Sequence, residues 1–127
     1  MIQGFRHETS PLTEYELNIV TPLIASIIRA CVGKENAKTN AMIRKELEPF
    51  SSLSQARVRK IINHIRTTDI VPRLVASSRG YYITDSCNEL AEYEESLLGR
   101  EMAIRNVRAS IERQRMDLIA GTTYVKL

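Results

Sequence analysis

The fold of this chain is decided between residues 53 and 83, where the sequence reads LSQARVRKIINHIR over residues 53–66 and RLVASSRGYYI over residues 73–83. Apolar residues in the first segment recur at i, i+3, i+4 and i+7, which is the spacing of one face of an α-helix. These residues are Val58, Ile61, Ile62 and Ile65. The second segment contains two short β-like runs joined by residues 78–80, where Gly80 can adopt the positive φ that a tight turn demands. The stretch therefore predicts a helix with one buried face, followed by a β-hairpin.

The same helical period defines an outer face, on which side chains point away from the core. At about 100° per residue, the outward positions are Ala56, Lys60, Asn63 and Thr67, and the flanking positions are Arg57, Arg59 and His64. No acidic residue occurs between Ser54 and Arg66, which is unusual for a face that only has to be soluble. Because these residue types contact DNA phosphates and base edges, we predict a DNA-binding set: Arg57, Arg59, Lys60, Asn63, His64, Thr67 and Arg79.

Two roles are expected within this set. Arg57, Arg59, Lys60 and Arg79 would bind phosphates, while Asn63, together with Arg59, would read bases. Arg79 would come from the hairpin turn, beside a phosphate or in a minor groove. The alternative is an ordinary solvated helix face and an exposed turn arginine without a ligand.

Charge is distributed very unevenly along the 127 residues. Residues 1–53 carry six basic and six acidic side chains, and residues 81–127 carry six and eight. Between them, residues 54–80 carry six basic side chains against the single Asp69. The overall charge of +3 is small because the segments on either side are neutral or slightly acidic. The basic cluster in residues 54–80 is therefore what indicates a polyanionic ligand.

Two further helices are predicted before this stretch. The first begins near Thr13, because TEYE over residues 13–16 is a capping box in which Thr13 and Glu16 satisfy each other's backbone amides. Pro22 either kinks this helix or marks a second start capped by Thr21. Its predicted core stripe is Leu17, Val20, Ile24, Ile27, Ile28 and Cys31.

The second predicted helix is short and covers roughly AMIRKEL, residues 41–47. Thr39 or Asn40 caps it, and Pro49 stops it. Ser54 then caps the third helix, which carries the basic outer face. The inward residues of the second helix are predicted to be Met42, Ile43 and Leu47.

The last predicted element is a long helix that begins at the capping box SCNE, residues 86–89, and runs without proline to about residue 115 or beyond. In a heptad repeat, a second apolar residue follows three positions after each member of a seven-residue apolar series. Here those second positions hold Tyr93 and Val107, but also Arg100 and Gln114, so the heptad is imperfect. An apolar residue recurs every seven positions: Leu90, Leu97, Ile104, Ile111 and Leu118.

At ~1.5 Å per residue this helix is about 45 Å long, which is more than the core of so small a domain can cover. It is therefore predicted to join two chains in a homodimer, and the alternative is a helix that folds back over its own domain. Its first half is acidic and its second half is basic, which suits antiparallel pairing of two copies. Gly99, between the halves, is the expected place for a bend or break.

The order helix, helix, basic helix, hairpin, long helix resembles the winged helix-turn-helix family. Five stretches look like small phage or prophage proteins of Bacteroides-type bacteria: HETSPLTEYE, GKENAKTN, ARVRKIINHIRTTDIVP, SSRGYYIT and YEESLLGREMAIRNVRASIERQ. The resemblance implies a mainly α fold with a small β-hairpin, whose third helix enters the major groove with Arg79 beside it from the wing. Residues 1–85 would form the winged helix-turn-helix domain, residues 86–119 the dimerisation helix and residues 120–127 a tail.

Enzymatic and metal functions are disfavoured by what the sequence lacks. It contains no Gly-rich phosphate loop, HExxH motif or nucleophile elbow, and Tyr81 or Tyr82 as a strand-cleaving nucleophile would lack a metal-binding or Arg/His constellation. Two free structural thiols are expected, and no cofactor or metal. The candidate zinc ligands lack the short paired spacings of zinc modules: Cys31, Cys87, His7 and His64.

The sequence thus predicts a non-enzymatic, cytoplasmic homodimer that binds double-stranded DNA and regulates transcription in a phage or other mobile element. Its N-terminus lacks the apolar centre of a signal peptide, and no apolar run approaches the ~20 residues that cross a bilayer. We therefore expect no membrane association. The alternative is a winged-helix module that docks a protein partner or assists replication.

Overall fold

Short helices and one β-hairpin precede a long helix in residues 9–121, which are the residues described by the structure, a computed structural model. A π-helical turn, Glu16–Val20, leads directly into α1, and a 3-10 turn, Lys34–Asn36, precedes α2. The predicted order of helices, hairpin and long C-terminal helix is confirmed. The named elements are α1 (Thr21–Arg29), α2 (Asn40–Leu47), α3 (Gln55–Thr67), β1 (Leu74–Ser77), β2 (Gly80–Ile83) and α4 (Cys87–Ile119).

The hydrophobic core is formed by one face each of α1, α2 and α3, together with residues at and just before β1. Its buried side chains are Val20, Ile24, Ala25, Ile28, Ile43, Leu47, Val58, Ile61, Ile62, Ile65, Val71 and Leu74. The buried face predicted for α3 is confirmed, because its four residues are each at most 1% exposed. Burial of one such aliphatic side chain contributes about 1.5–3 kcal/mol, so these four determine which side of α3 is left to solvent.

The helix entering this core is not interrupted at Pro22. Proline lacks the N–H that a regular helix would donate to the carbonyl four residues earlier. The chain widens into the π turn instead, where the N–H of Thr21 and its hydroxyl both donate to Glu16 O, the hydroxyl at 2.8 Å. The wider turn changes the helical phase of its own residues, so Glu16 is buried and Leu17, predicted to lie in the core, is 37% exposed.

The N-terminal caps of α2 and α3 are confirmed. Thr39 Oγ1 accepts the Met42 N–H at 3.2 Å, and Ser54 Oγ accepts a backbone N–H of the first turn of α3 at 3.1 Å. The prediction that Met42 points inward is wrong, because its side chain is 48% exposed. The short α2 instead packs through Ile43 and Leu47, which lie one turn apart.

The hairpin packs against the segment between α1 and α2. β1 and β2 are antiparallel, with Ser77 opposite Gly80 at the turn. On the other side of β2, the Lys38 N–H donates to Tyr81 O at 3.1 Å and Lys38 O accepts the Tyr81 N–H at 2.8 Å. Gly80 has the predicted positive φ, +120°, and a Cβ there would lie 2.3 Å from Lys38 O. Gly80 therefore permits both the turn and the close approach of the two backbones.

The long helix α4 contains 33 residues and is about 50 Å long at ~1.5 Å per residue. It continues through Gly99 without the break that the sequence predicted as one possibility. The chain divides into two compact units between Ser86 and Cys87, so α4 belongs to the second unit. Several apolar side chains of α4 are largely exposed, for example Ile104 at 69% and Leu118 at 72%. Within residues 9–121, no helix combines the length and apolar character needed to span a bilayer.

We expect Gly80→Ala to destabilise the protein by about 2–4 kcal/mol, because the added Cβ meets the Lys38 backbone and the positive φ is strained for alanine. Gly99→Ala is the matched control, since nothing lies within 4 Å of its Cβ position and alanine favours a helix by about 0.5–1 kcal/mol. Urea unfolding followed by circular dichroism measures both variants. Equal stability of Gly80→Ala and the wild type would contradict the packing of the hairpin.

Candidate nucleic-acid interface

Arg57 lies in the interior, although the helical period predicted it on a flank of the outer face. Its side chain is 1% exposed. The guanidinium donates to both carboxylate oxygens of Glu16, with Nε to Oε2 at 3.0 Å, and to the backbone oxygens of Ser10 at 2.6 Å and Pro11 at 3.1 Å. A phosphate could not reach this group without opening the cluster. Arg57 is therefore removed from the DNA-contact set that the sequence predicted.

Glu16 also forms the predicted capping box, which is confirmed. Its Oε1 accepts the Thr13 N–H at 2.9 Å, and Thr13 Oγ1 accepts the Glu16 N–H at 3.0 Å. The hydrogen bond from Arg57, opposed by burial and aided by the Thr13 amide, holds the pKa of Glu16 below its ordinary value. The pair is thus ionised but neutral as a unit, and it ties the π turn to one flank of α3.

The other predicted residues of α3 lie at the surface. Arg59, Asn63 and Thr67 are exposed, and Lys60 and His64 are half-buried. Lys60 Nζ donates to Thr9 O at 3.2 Å, so its ammonium is held against the N-terminal segment. Thr67 Oγ1 donates to Asn63 O at 2.8 Å, which leaves the hydroxyl oxygen as an acceptor. The outer face predicted from the helical period is therefore present, without Arg57.

One groove beside this face, called the hairpin-side groove, lies between the hairpin on one side and the first turns of α2 and α3 on the other. Its volume is about 230 Å³. Asn40 Nδ2 donates to Gln55 O at 3.1 Å and so joins the two helix starts, while Asn40 Oδ1 is buried without a partner among the described residues. The polar side chains that line the groove are Thr39, Asn40, Gln55, Arg59, Ser77 and Ser78.

Asn40 and Gln55 were not among the predicted site residues. Each directly follows the capping residue of its helix, Thr39 or Ser54. That position at a helix start was the one signal in the sequence that could have marked them, because the first residues of a recognition helix often contact base edges.

A second groove lies on the other side of α3, against the N-terminal segment. Its volume is about 540 Å³. Pro11, Leu12 and Leu17 form an apolar wall. The wall on α3 is polar and consists of Lys60, Asn63, His64 and Thr67. The outer face of α3 therefore has two sides, one lined by Arg59 towards the hairpin and one lined by Lys60 towards the N-terminal segment.

Arg79 occupies the hairpin turn and is exposed, as the sequence predicted. Its N–H donates to Ser77 Oγ at 3.2 Å, and that hydroxyl donates to Gly80 O at 3.1 Å. The two residues before Arg79 in the chain, Ser77 and Ser78, line the hairpin-side groove. Arg57 is neutralised by Glu16, and Arg73 Nη1 lies 3.4 Å from Asp85 Oδ1, so Arg59, Lys60 and Arg79 are the cations that the outer face of α3 and the hairpin turn offer.

Tyr81, Tyr82 and the two cysteines differ in their exposure. Tyr82 is 2% exposed, and Tyr81 is half-buried against the core. Burial raises the pKa of the Cys31 thiol, while Cys87 is exposed at the start of α4. No three His, Cys, Asp or Glu side chains come together as possible metal ligands within residues 9–121, and His7 lies outside that range.

Comparison with known proteins found no match to a family model, to a curated protein or to a solved structure. Function is therefore inferred from the charge of α3, the hairpin turn and the two grooves.

We expect Arg57→Met to destabilise the protein by about 3–5 kcal/mol, because it leaves the buried Glu16 carboxylate without its cation. Arg59→Met is the matched control, since Arg59 lies two residues along the same helix but is exposed, and it should change stability by at most about 0.5 kcal/mol. Guanidinium chloride unfolding measures both. If Arg57→Met does not fold, the double variant Glu16→Gln, Arg57→Met should be the more stable of the two. A fully stable single variant would contradict the buried pair.

The ion pair also predicts a pH dependence of stability. Because the folded-state pKa of Glu16 is lower than its unfolded-state value, its contribution is complete above the unfolded pKa of about 4.3 and is lost as pH falls through the folded-state pKa. The free energies of unfolding of the wild type and Glu16→Gln should therefore converge as pH falls below about 5. A stability difference that stayed constant as the pH is lowered to full protonation of the carboxylates would show that the Glu16 charge is not the source.

Proposed function

We propose that this chain binds double-stranded DNA as a winged helix-turn-helix protein, with α3 in the major groove and the hairpin as the wing. The observation that carries the proposal is the solvent-facing side of α3. It holds Arg59, Lys60 and Asn63, and no carboxylate occurs in the helix between Ser54 and Arg66. A helix of this kind fits the major groove, which is about 12 Å wide, and α3 is held to the core by its opposite face.

The roles proposed for the side chains follow from their exposure and chemistry. Arg59 and Asn63 are exposed and belong to the residue types that bind guanine and adenine edges in a bidentate manner. Gln55, in the first turn of α3 and on the hairpin-side groove, joins them as a base-contacting candidate. Lys60 and Arg79 would bind phosphates, and Lys60 would exchange its hydrogen bond to Thr9 O for a stronger one to an anion.

The proposed biological role is regulation of transcription in a phage or other mobile element. It rests on the resemblance of the sequence stretches described above. His64 and Thr67 would line the DNA surface at the far end of α3, next to the apolar wall of the second groove.

The second groove favours an alternative function, the docking of a protein segment. Its wall of Pro11, Leu12 and Leu17 is apolar, whereas a phosphate backbone needs polar or basic groups. An amphipathic acidic segment could place carboxylates against Lys60 and apolar side chains against this wall. Such binding would leave Arg59 and Arg79, on the other side of α3, without a role.

Substitutions on the hairpin side distinguish the two functions. With a random-sequence 20-base-pair duplex pool in fluorescence anisotropy, Arg59→Glu should weaken binding at least about tenfold, because it places a carboxylate against phosphates. Arg79→Gln should lower the slope of log affinity against log salt by about 0.9, the loss of one phosphate contact. Lys34→Glu makes the same charge change on an exposed residue outside the proposed face and should have little effect at matched ionic strength. Duplex affinity unchanged in Arg59→Glu and Arg79→Gln would contradict the DNA interface.

A further inference from the structure

The helix α4 carries an apolar seam that is open to solvent. Successive members lie seven, three, four and seven residues apart, which fits the heptad repeat with which two helices pack around each other. They are between 40% and 72% exposed. They are Leu97, Ile104, Val107, Ile111 and Leu118.

We propose that a second copy of this chain covers the seam, with the two α4 helices antiparallel and Ile104 packed against Val107 of the partner subunit. The next layers outward place Leu97 against Gln114 of the partner subunit and Leu118 against Tyr93 of the partner subunit. Arg100, which interrupts the seam, then lies across Ile111 of the partner subunit and extends its charged end to water along its aliphatic stem. The surface does not depend on the proposed DNA-binding function, since it lies on α4 alone.

Charge complementarity selects this pairing. One edge of the seam carries a charged residue every seven positions, and the sign changes halfway: Glu94, Glu101, Arg108 and Arg115. In antiparallel pairs the equivalent edges of the two helices face each other. The proposed register brings Glu101 to Arg108 of the partner subunit and Glu94 to Arg115 of the partner subunit, and the two-fold symmetry repeats both pairs.

Neighbouring registers have fewer opposite-charge pairs and add a like-charge pair. A shift of one heptad in one direction sets Glu101 opposite Glu101 of the partner subunit, and a shift in the other direction sets Arg108 opposite Arg108 of the partner subunit. Like charges at these positions select against a register. The acidic and basic halves of α4 therefore favour the proposed antiparallel alignment over its neighbours, since only the proposed one has four opposite-charge pairs and no like-charge pair.

A parallel pair fits the sequence less well. It would place Arg100 directly against Arg100 of the partner subunit within the seam, where two guanidinium groups repel each other. It would also leave Glu101 and Arg108 facing Ser96 and Ala103 of the partner subunit, without opposite charges. The one intrahelical partner described for Glu101 is Arg105, at 3.7 Å and on the surface, so that pair leaves Glu101 accessible.

Distance measurement between the two copies tests the direction of pairing. Cys87 is exposed at the start of α4 whereas Cys31 is buried, so a nitroxide label attaches selectively to Cys87, with Cys31→Ala as the labelling control. In the proposed register the two Cys87 positions are about 55 Å apart along the axis at ~1.5 Å per residue. In a parallel pair they would lie about 10 Å apart. A long distance supports the proposal, and a short distance or a monomeric mass at tens of micromolar overturns it.

Charge exchange tests the register. Glu101→Arg and Arg108→Glu each create two like-charged pairs in the homodimer, so each should weaken dimerisation at least about tenfold in sedimentation equilibrium. An equimolar mixture of the two variants should recover wild-type affinity, because each repulsive pair becomes an attractive one. Glu95→Arg, a similar change away from the seam, is the control and should leave dimerisation unchanged. Failure of the mixture to associate better than either variant alone would overturn the register.

Discussion

The buried ion pair between Glu16 and Arg57 is the interaction on which the arrangement of the N-terminal unit depends. It joins the π turn to α3 and, through hydrogen bonds to Ser10 and Pro11, holds the N-terminal segment against the same helix. A buried pair of this kind adds little net stability compared with apolar residues of the same size. Its effect is on geometry, since a rotation of α3 that separated the partners would leave an uncompensated charge in the interior.

This constraint decides what α3 offers to a ligand. By occupying one flank of the helix, the pair withdraws Arg57 from the surface and leaves Arg59 towards the hairpin. The segment that Arg57 holds supplies Pro11 to the wall of the second groove, and Lys60 hydrogen-bonds to Thr9 of the same segment. The two sides of the outer face, and the different partners that each would suit, therefore follow from one interior contact.

Local sequence patterns predicted much of this fold. The capping box at Thr13, the caps at Thr39 and Ser54, the core face of α3 and the positive φ of Gly80 each depend on a few neighbouring residues. The helical period could not predict the burial of Arg57, because its partner lies 41 residues earlier. The exposure of Leu17 needed knowledge of the π turn that accommodates Pro22. Likewise, the hairpin-side groove with Asn40 and Gln55 exists only once α2, α3 and the hairpin are assembled.

The most direct test of DNA binding by α3 and the hairpin is a map of backbone amide chemical shifts during titration with a duplex selected from a random pool. If α3 and the hairpin bind DNA, perturbed amides should concentrate in residues 55–67 and 77–81, while those of α1, behind the core, change little. Perturbations that decrease with added salt would match a phosphate-dependent interface. Absence of shifts at duplex concentrations near those of the protein, or shifts confined to α1, would contradict the account.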